Sequence, residues 1–217
     1  MPEWNKTYAM RNRLASQGKI EVRDGRDFYK GRPIIHRDSE VDGGVYLGAS
    51  EREAIVVDSQ KYLGLRKLYQ TAKAKASIDE NVRKNLVLEA VFQTVKEAMP
   101  KQDEKAVEEL VKKYGAQNDC KINLDVFLDE GTGVCRHDAL ACAATLELFK
   151  KEGIITGKPS VDRNSDSFDG KVQGHAWCRH LNSIGQVFIL DVAQNFIGRL
   201  EKAPDKNRWA YERPEDF

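Results

Sequence analysis

Cysteine is scarce in this chain of 217 residues: only Cys120, Cys135, Cys142 and Cys178 are present. None belongs to a paired C-x-x-C spacing, which leaves no basis for a disulfide scaffold or a common structural zinc pattern. Long hydrophobic runs are also missing. The longest, "ALACAA" and "VFIL", fall far short of the ~20 apolar residues that cross a bilayer as a helix. "MPEWNKTYAMRNRLASQ" has charges where a signal peptide needs an apolar core. No charge sign predominates: 35 Lys and Arg meet 34 Asp and Glu, for a net +1. Such a balance gives no global pull toward nucleic acid or anionic lipid. The most basic stretch, "RNRLASQGKIEVRDGR", is diluted by acids and reads as a solvated face. These absences point to a cytoplasmic protein with reduced thiols, no membrane span and no nucleic-acid partner. They leave open export by a route that reads no cleavable signal.

A single large domain, or a domain with an appendage, fits the length. Residues 1–76 read as an accessory region: a short helix stopping at Gly18, then small strands and turns broken by Gly and Pro. From Ser77 the pattern sharpens. "SIDE" has the form of a capping box and predicts a helix carrying Leu88, Val91, Phe92, Val95 and Met99 on one face up to Pro100. A second helix should place Ala106, Val107, Leu110, Val111 and Tyr114 together and stop at Gly115. "CKINLDVFL" is a short, partly alternating segment. A third helix runs from Cys135 to Gly153, with Leu140, Ala144 and Leu148 as its main stripe. Residues 154–174, rich in Gly, Ser, Asp and Asn, predict a long surface loop. "GHAWCRHLNSIGQVFILDVA" predicts a β-hairpin turning near "NSIG". The tail beyond Glu201 reads as an irregular segment pinned by Trp209 and Tyr211.

The candidate chemistry begins at "GTGVC". A thiolate, not a thiol, is the nucleophilic form of cysteine, and a helix N-terminus favours it through unpaired N–H groups and a partial positive charge. Cys135 sits at such a start, with Thr132 as a candidate N-cap and Gly131 and Gly133 leaving room for a substrate backbone. His175 supplies an imidazole of the kind that activates a cysteine. Gly174 precedes it, and Trp177 shares its strand face. Asp191 ends an apolar run, where a carboxylate needs a partner, and could fix the histidine tautomer. A hairpin register that sets His175 opposite Asp191 also sets 180 opposite 186, which places the turn at residues 182–184 and both side chains on one face.

"GTGVCRHDALACAATLELFKKEGI", "GHAW" and "VFILDVAQNFIG", in that order, resemble the transglutaminase-like branch of the papain-like cysteine enzymes, over roughly residues 77–198. The resemblance implies an α+β fold with a papain-like core, in which the cysteine helix packs on an antiparallel β-sheet. It also implies a catalytic domain at residues 77–217. The matching catalytic residues are Cys135, His175 and Asp191, and Gly133, Gly174 and Trp177 would border the substrate. The implied chemistry is attack of the thiolate on an amide to form an acyl-enzyme, which water or an amine resolves. Expected activities are a cysteine protease or glutamine deamidase acting on a protein or peptide, or alternatively a transglutaminase transferring to an amine. No cofactor or metal is implied. The chain lacks the zinc motifs of peptide-glycan amidases and an acidic calcium loop. The oxyanion would be held by the Cys135 N–H and a side chain, with Gln117, Asn118, Asn123 and Gln173 as candidates.

Other readings attach to the same residues. Cys135, His137, His175, Cys178 and His180 offer nitrogen and sulfur ligands for zinc, but His175 and Cys178 should face opposite sides of a strand. A non-catalytic binding module retaining the fold is a third class. Cys142 and Cys178 read as packing residues, Cys120 as a bystander, and His137 as a solvated first-turn histidine.

Overall fold

The computed structural model describes Trp4 and residues 9–48, 53–78, 81–115, 121–168, 171–204 and 209–214. The chain opens with α1 (Ala9–Ser16), then a small antiparallel sheet of β1 (Ile20–Arg23), β2 (Arg26–Tyr29) and β3 (Arg32–Pro33). Gly18 ends α1 at φ +67°, a conformation that favours glycine. β4 (Val45–Leu47) and β5 (Ala54–Val56) pair antiparallel. α2 (Gly64–Lys75) follows and buries Leu65, Leu68, Tyr69 and Ala72 at helical spacing. Its first N–H groups are satisfied from a distance: Asp125 accepts from Gly64 at 2.5 Å and from Leu65 at 3.2 Å.

Ser77 does not start a helix. β6 (Ser77–Ile78) and β7 (Asn81–Val82) form a hairpin, and α3 (Val87–Ala98) begins ten residues after Ser77. The Ser77 hydroxyl donates to the Lys73 carbonyl at 2.8 Å, so it closes the preceding helix instead of capping the next. Glu80, the other half of the expected box, lies outside the described residues. β8 (Lys101–Gln102) leads to α4 (Glu104–Gly115), which buries Val107 and Leu110. Tyr114 is exposed, contrary to the expected stripe, and lies near Lys113 and Glu130.

"CKINLDVFL" divides into two elements. β9 (Lys121–Asn123) pairs parallel with β5, and α5 (Leu124–Asp129) starts at Asn123, whose side chain accepts from the Asp125 N–H at 3.4 Å. β10 (Thr132–Gly133) pairs parallel with β8. α6 (Cys135–Lys151) is buried almost all round, not along one stripe. α2, α3 and α5 contact it, as do three strands of the main sheet, the runs Lys158–Phe168, Lys171–Leu181 and Val187–Asp191. The small residues at 139, 141, 143 and 144 permit this enclosure, because close approach needs small side chains on several faces.

The main sheet is antiparallel, in the order β11 (Lys158–Phe168), β12 (Lys171–Leu181), β13 (Val187–Asp191), β14 (Phe196–Arg199). β11 corrects the expectation of a surface loop. Its polar residues Ser160, Asp162 and Asn164 are buried and alternate on one face. Arg213 from the tail bonds Asp162 at 2.7 and 2.6 Å and Ser160 at 3.0 Å, and Asn164 donates to the Ala210 carbonyl at 2.9 Å. These partners offset the desolvation of a polar face, so polarity alone does not mark the strand as exposed. The hairpin register also differs by two residues: His180 pairs with Phe188 and Cys178 with Leu190. The connection is longer, spanning residues 182–186, with Gly185 at φ +81°. The Asn182 side chain organises it by accepting the Gln186 and Ile184 N–H groups. The even shift preserves the face of every side chain.

The protein is thus a mixed α+β fold whose cysteine helix packs on an antiparallel sheet. One apolar core runs from Ile35 to Val192 through α2, α3 and α6, so it crosses the boundary drawn at residue 76. A second cluster joins α1 to β2, β4 and β5. A third, of Trp4, Trp177, Ile189, Trp209 and Tyr211, covers the sheet face away from α6. Among the described residues, no helix is long and apolar enough to cross a membrane.

Candidate active site

Cys135 is the first residue of α6. Gly131 allows the approach: at φ +62° it turns the chain out of α5. Thr132 does not cap the helix, because it is held in β10 against Lys101. Val134 occupies the N-cap position in extended geometry, and its N–H donates to His137 Nδ1 at 3.2 Å. His137 is therefore a capping partner buried against Phe127, with ring centroids 4.0 Å apart, and not a solvated first-turn residue. Its Nε2 lies 3.4 Å from Glu53, too loose and poorly aligned for an ordinary hydrogen bond. Burial is the main influence lowering its pKa, so the ring is neutral. Gly133 is buried, and a Cβ there would meet Met99 Sδ at 2.9 Å and His137 Cβ at 3.2 Å. Its small size lets β10 pack closely on α6.

β12 presents His175 and Trp177 on the face away from α6, while Ala176 and Cys178 join the core on the other. β13 brings Asp191 to the His175 face by the diagonal contact that the two-residue shift creates. His175 Nε2 lies 2.5 Å from Asp191 Oδ2. This leaves Nδ1 for Cys135, which lies in hydrogen-bond contact with the imidazole. The paired register of β12 and β13 ends at Cys178 and Leu190. Just beyond that end, the Ala176 N–H donates to the Cys135 sulfur. Sheet and helix thus meet at the thiol.

The electrostatics agree from both partners. Burial pushes the Cys135 thiol pKa up, but the His175 hydrogen bond and charge, the Ala176 N–H and the Arg136 guanidinium outweigh it and lower the value. Burial pulls His175 down, but Asp191 and Cys135 raise it to about 9. Both shifts favour a thiolate–imidazolium pair. Arg136 is fixed by buried Glu53 at 2.5 Å and by Glu104 at 3.3 and 3.2 Å.

The tail supplies groups whose place in the site the sequence did not reveal. Trp209 stacks on His175 with centroids 4.8 Å apart and planes at 20°. Tyr211 donates its phenol proton to Asp191 Oδ2 at 2.8 Å, and the Gln194 N–H donates to Oδ1 at 3.0 Å. The aromatics between Pro204 and Pro214 were the available signal, but nothing local specified their target. Trp177 is fully buried, packed edge-on against Trp4 and Tyr211. It supports the histidine layer and offers no surface to a substrate. Gly174 is exposed beside His175, and a Cβ added there would meet only the Asn164 carbonyl oxygen, at 3.7 Å.

Of the candidate oxyanion donors, Gln117 and Asn118 lie outside the described residues, as does Cys120. Asn123 is committed to capping α5. Gln173 is exposed on the His175 face of β12. Gln102, unnoticed in the sequence, pairs with Gly133 through β8 and β10, and its amide donates to the Met99 carbonyl at 3.2 Å. The zinc candidates do not converge: His137 is enclosed beside Phe127 and Glu53, and Cys178 and His180 lie on the strand face opposite His175. Among the described residues no group of three or more His, Cys, Asp or Glu side chains is arranged to hold a metal ion. No protein-family model matches the chain, and comparison with curated proteins and with solved structures also gives no match.

Proposed function

We propose that the protein is a thiol-dependent amide-cleaving enzyme of transglutaminase-like, papain-like type, acting on a protein or peptide. The observation that carries this reading is the meeting of Cys135, His175 and Asp191 from a helix start and two strands, with pKa shifts that favour thiolate and imidazolium. The Cys135 thiolate attacks the amide carbonyl carbon, and the electron pair moves onto oxygen. As the tetrahedral species collapses, the C–N bond breaks and the His175 imidazolium gives its proton to the leaving nitrogen. The product is a thioester on Cys135. His175, now neutral, takes a proton from water as that water attacks the thioester. The acid is released, and the thiolate and imidazolium are restored. Asp191 holds Nε2 throughout and stabilises the charged ring.

Intact-mass analysis after incubation with a panel of glutamine-containing proteins, with and without a primary amine, tests the proposal. Wild-type protein should cleave or deamidate at least one substrate, and Cys135→Ala should not. Amine adducts would shift the assignment to transfer. Equal activity of wild type and Cys135→Ala on a verified substrate would refute the role of the thiol.

A further inference from the structure

β12 is paired along one margin and only partly along the other. β11 follows its whole length, residues 171–181, in one unbroken register. β13 pairs only with residues 178–181. Beyond Asp191 the chain turns away, and the Asn195 N–H donates to the Val192 carbonyl at 3.0 Å. Residues 171–177 therefore have no described strand on the β13 side.

Parity decides where the backbone groups of this stretch point. In an antiparallel ladder the N–H and C=O of one residue face one neighbour, and those of the next residue face the other. The Asn182 N–H donates to the Gln186 carbonyl at 2.9 Å, in the register that pairs His180 with Phe188. Even-numbered residues of β12 thus turn their N–H and C=O toward β13, and odd-numbered ones toward β11. The unbroken β11 register carries this alternation back to residue 171. Ala176 obeys it, since its N–H reaches the Cys135 sulfur just past the end of the β13 pairing. Gly174 and Val172 are next in the series, and they aim their N–H and C=O groups into the same unpaired margin. Residues 171–174 are exposed. A Cβ on Gly174 would meet only the Asn164 carbonyl oxygen, at 3.7 Å, so the space beside it is open. From Ala176 to Val172 the strand runs about 13 Å, the length of four extended residues.

We propose that the free margin of β12 from Gly174 to Val172 is the substrate-binding edge, where an extended polypeptide segment adds as a further strand and brings its reactive amide to Cys135. The inference rests on the thiol reading above and deepens it by naming the substrate class. The substrate is an unfolded or extended stretch of polypeptide, read through its main chain, and not a small free amide. An unpaired sheet edge is a template for strand addition. Main-chain hydrogen bonds then supply the affinity, and alternate side chains refine it. Val172, on the α6 face of the sheet and 60% exposed, offers one such side-chain contact.

Chloromethyl ketone probes test this on the wild-type protein. The Cys135 thiolate displaces chloride from the methylene carbon, so a C–S bond forms as the C–Cl bond breaks, and peptide mapping locates the label. Acetyl-tetra-alanyl chloromethyl ketone spans the margin, whereas acetyl-alanyl chloromethyl ketone does not. The longer probe should label Cys135 faster by on the order of 10-fold, with iodoacetamide reporting the reactivity of the thiol itself. N-methylation of alternate nitrogens in the longer probe should remove the gain in one phase and spare it in the other, because only every second N–H faces β12. Val172→Pro removes an N–H that β11 does not use and should lower the ratio of tetrapeptide to iodoacetamide labelling. Equal rates for the two ketones, equal loss in both methylation phases, or an unchanged ratio in Val172→Pro would overturn the strand pairing and leave the thiol reading standing. A Cys135 that iodoacetamide labels no faster than Cys142 or Cys178 would instead overturn the thiol reading, and this inference with it.

Discussion

Tyr211→Phe removes one proton donor from the site and almost nothing else. The phenol gives its hydrogen to Asp191 Oδ2 at 2.8 Å, in a layer where Asp191 and Tyr211 are both buried. The ring itself packs against Trp177 at 5.0 Å and Phe196 at 5.8 Å, and phenylalanine keeps both contacts. A hydrogen bond to a charged group contributes about 1.5–3 kcal/mol net. Among proteins of this size 1 kcal/mol corresponds to roughly 2–4 °C in Tm. The variant should therefore melt roughly 3–12 °C lower. Calorimetry measures the shift. Alkylation of Cys135 in the folded protein at neutral pH should slow only modestly, because the Gln194 N–H still holds Asp191 and His175 still bonds Oδ2. Tyr211→Ala also loses the ring contacts and should cost more. A Tm within 1 °C of wild type for Tyr211→Phe, outside the roughly 3 °C minimum expected, would refute the claim that the tail supplies a desolvated donor to the Asp191 carboxylate.

Two further outcomes are expected. Asp191→Asn should retain the nucleophile but lose the carboxylate that fixes His175, lowering turnover on a verified substrate by on the order of 10^4, as in a serine triad; Cys135→Ala should lose at least as much, and near-normal turnover of Asp191→Asn would contradict the assigned geometry. Glu147 accepts the Val41 and Asp42 N–H groups at 2.8 Å each, and burial raises its pKa to about 7. A raised folded value means that its contribution to stability is full below the unfolded carboxylate pKa and declines as pH rises through about 7; urea denaturation across that range should show this decline in wild type and not in Glu147→Gln.

The convergence of the candidate residues was legible where chemistry and local chain signals coincide. Cys135 follows a glycine turn at the head of a helix, and His175 and Asp191 lie in apolar strands where polar side chains require partners. Parity along the strands puts the two on one face even though the expected register is two residues off. The Asn182 side chain bonds that lengthen the hairpin turn could not be read from turn composition alone. β11 escaped the sequence for a different reason. Ser160, Asp162 and Asn164 look solvent-facing until Arg213 and the Ala210 carbonyl, about fifty residues away, satisfy them. His137 and Ser77 show the same limit on a local scale. Each has two available hydrogen-bonding roles, and tertiary packing chose the one that spacing did not favour. Gln102 carries no motif, and the β8–β10 pairing alone sets it beside Gly133.

The central claim is that Cys135 is a thiolate held by His175, and limiting iodoacetamide at mildly acidic pH followed by peptide mapping tests it most directly. An ordinary thiol is only about 0.3% ionised near pH 6, and Cys142 and Cys178 are fully buried with pKa values pushed further up. Cys135 is partly exposed, and its thiolate is favoured by the imidazolium beside it. Label is expected at Cys135 well ahead of the other three cysteines, with loss of that preference in His175→Ala. Equal labelling of all four, or a preference that survives His175→Ala, would contradict the claim.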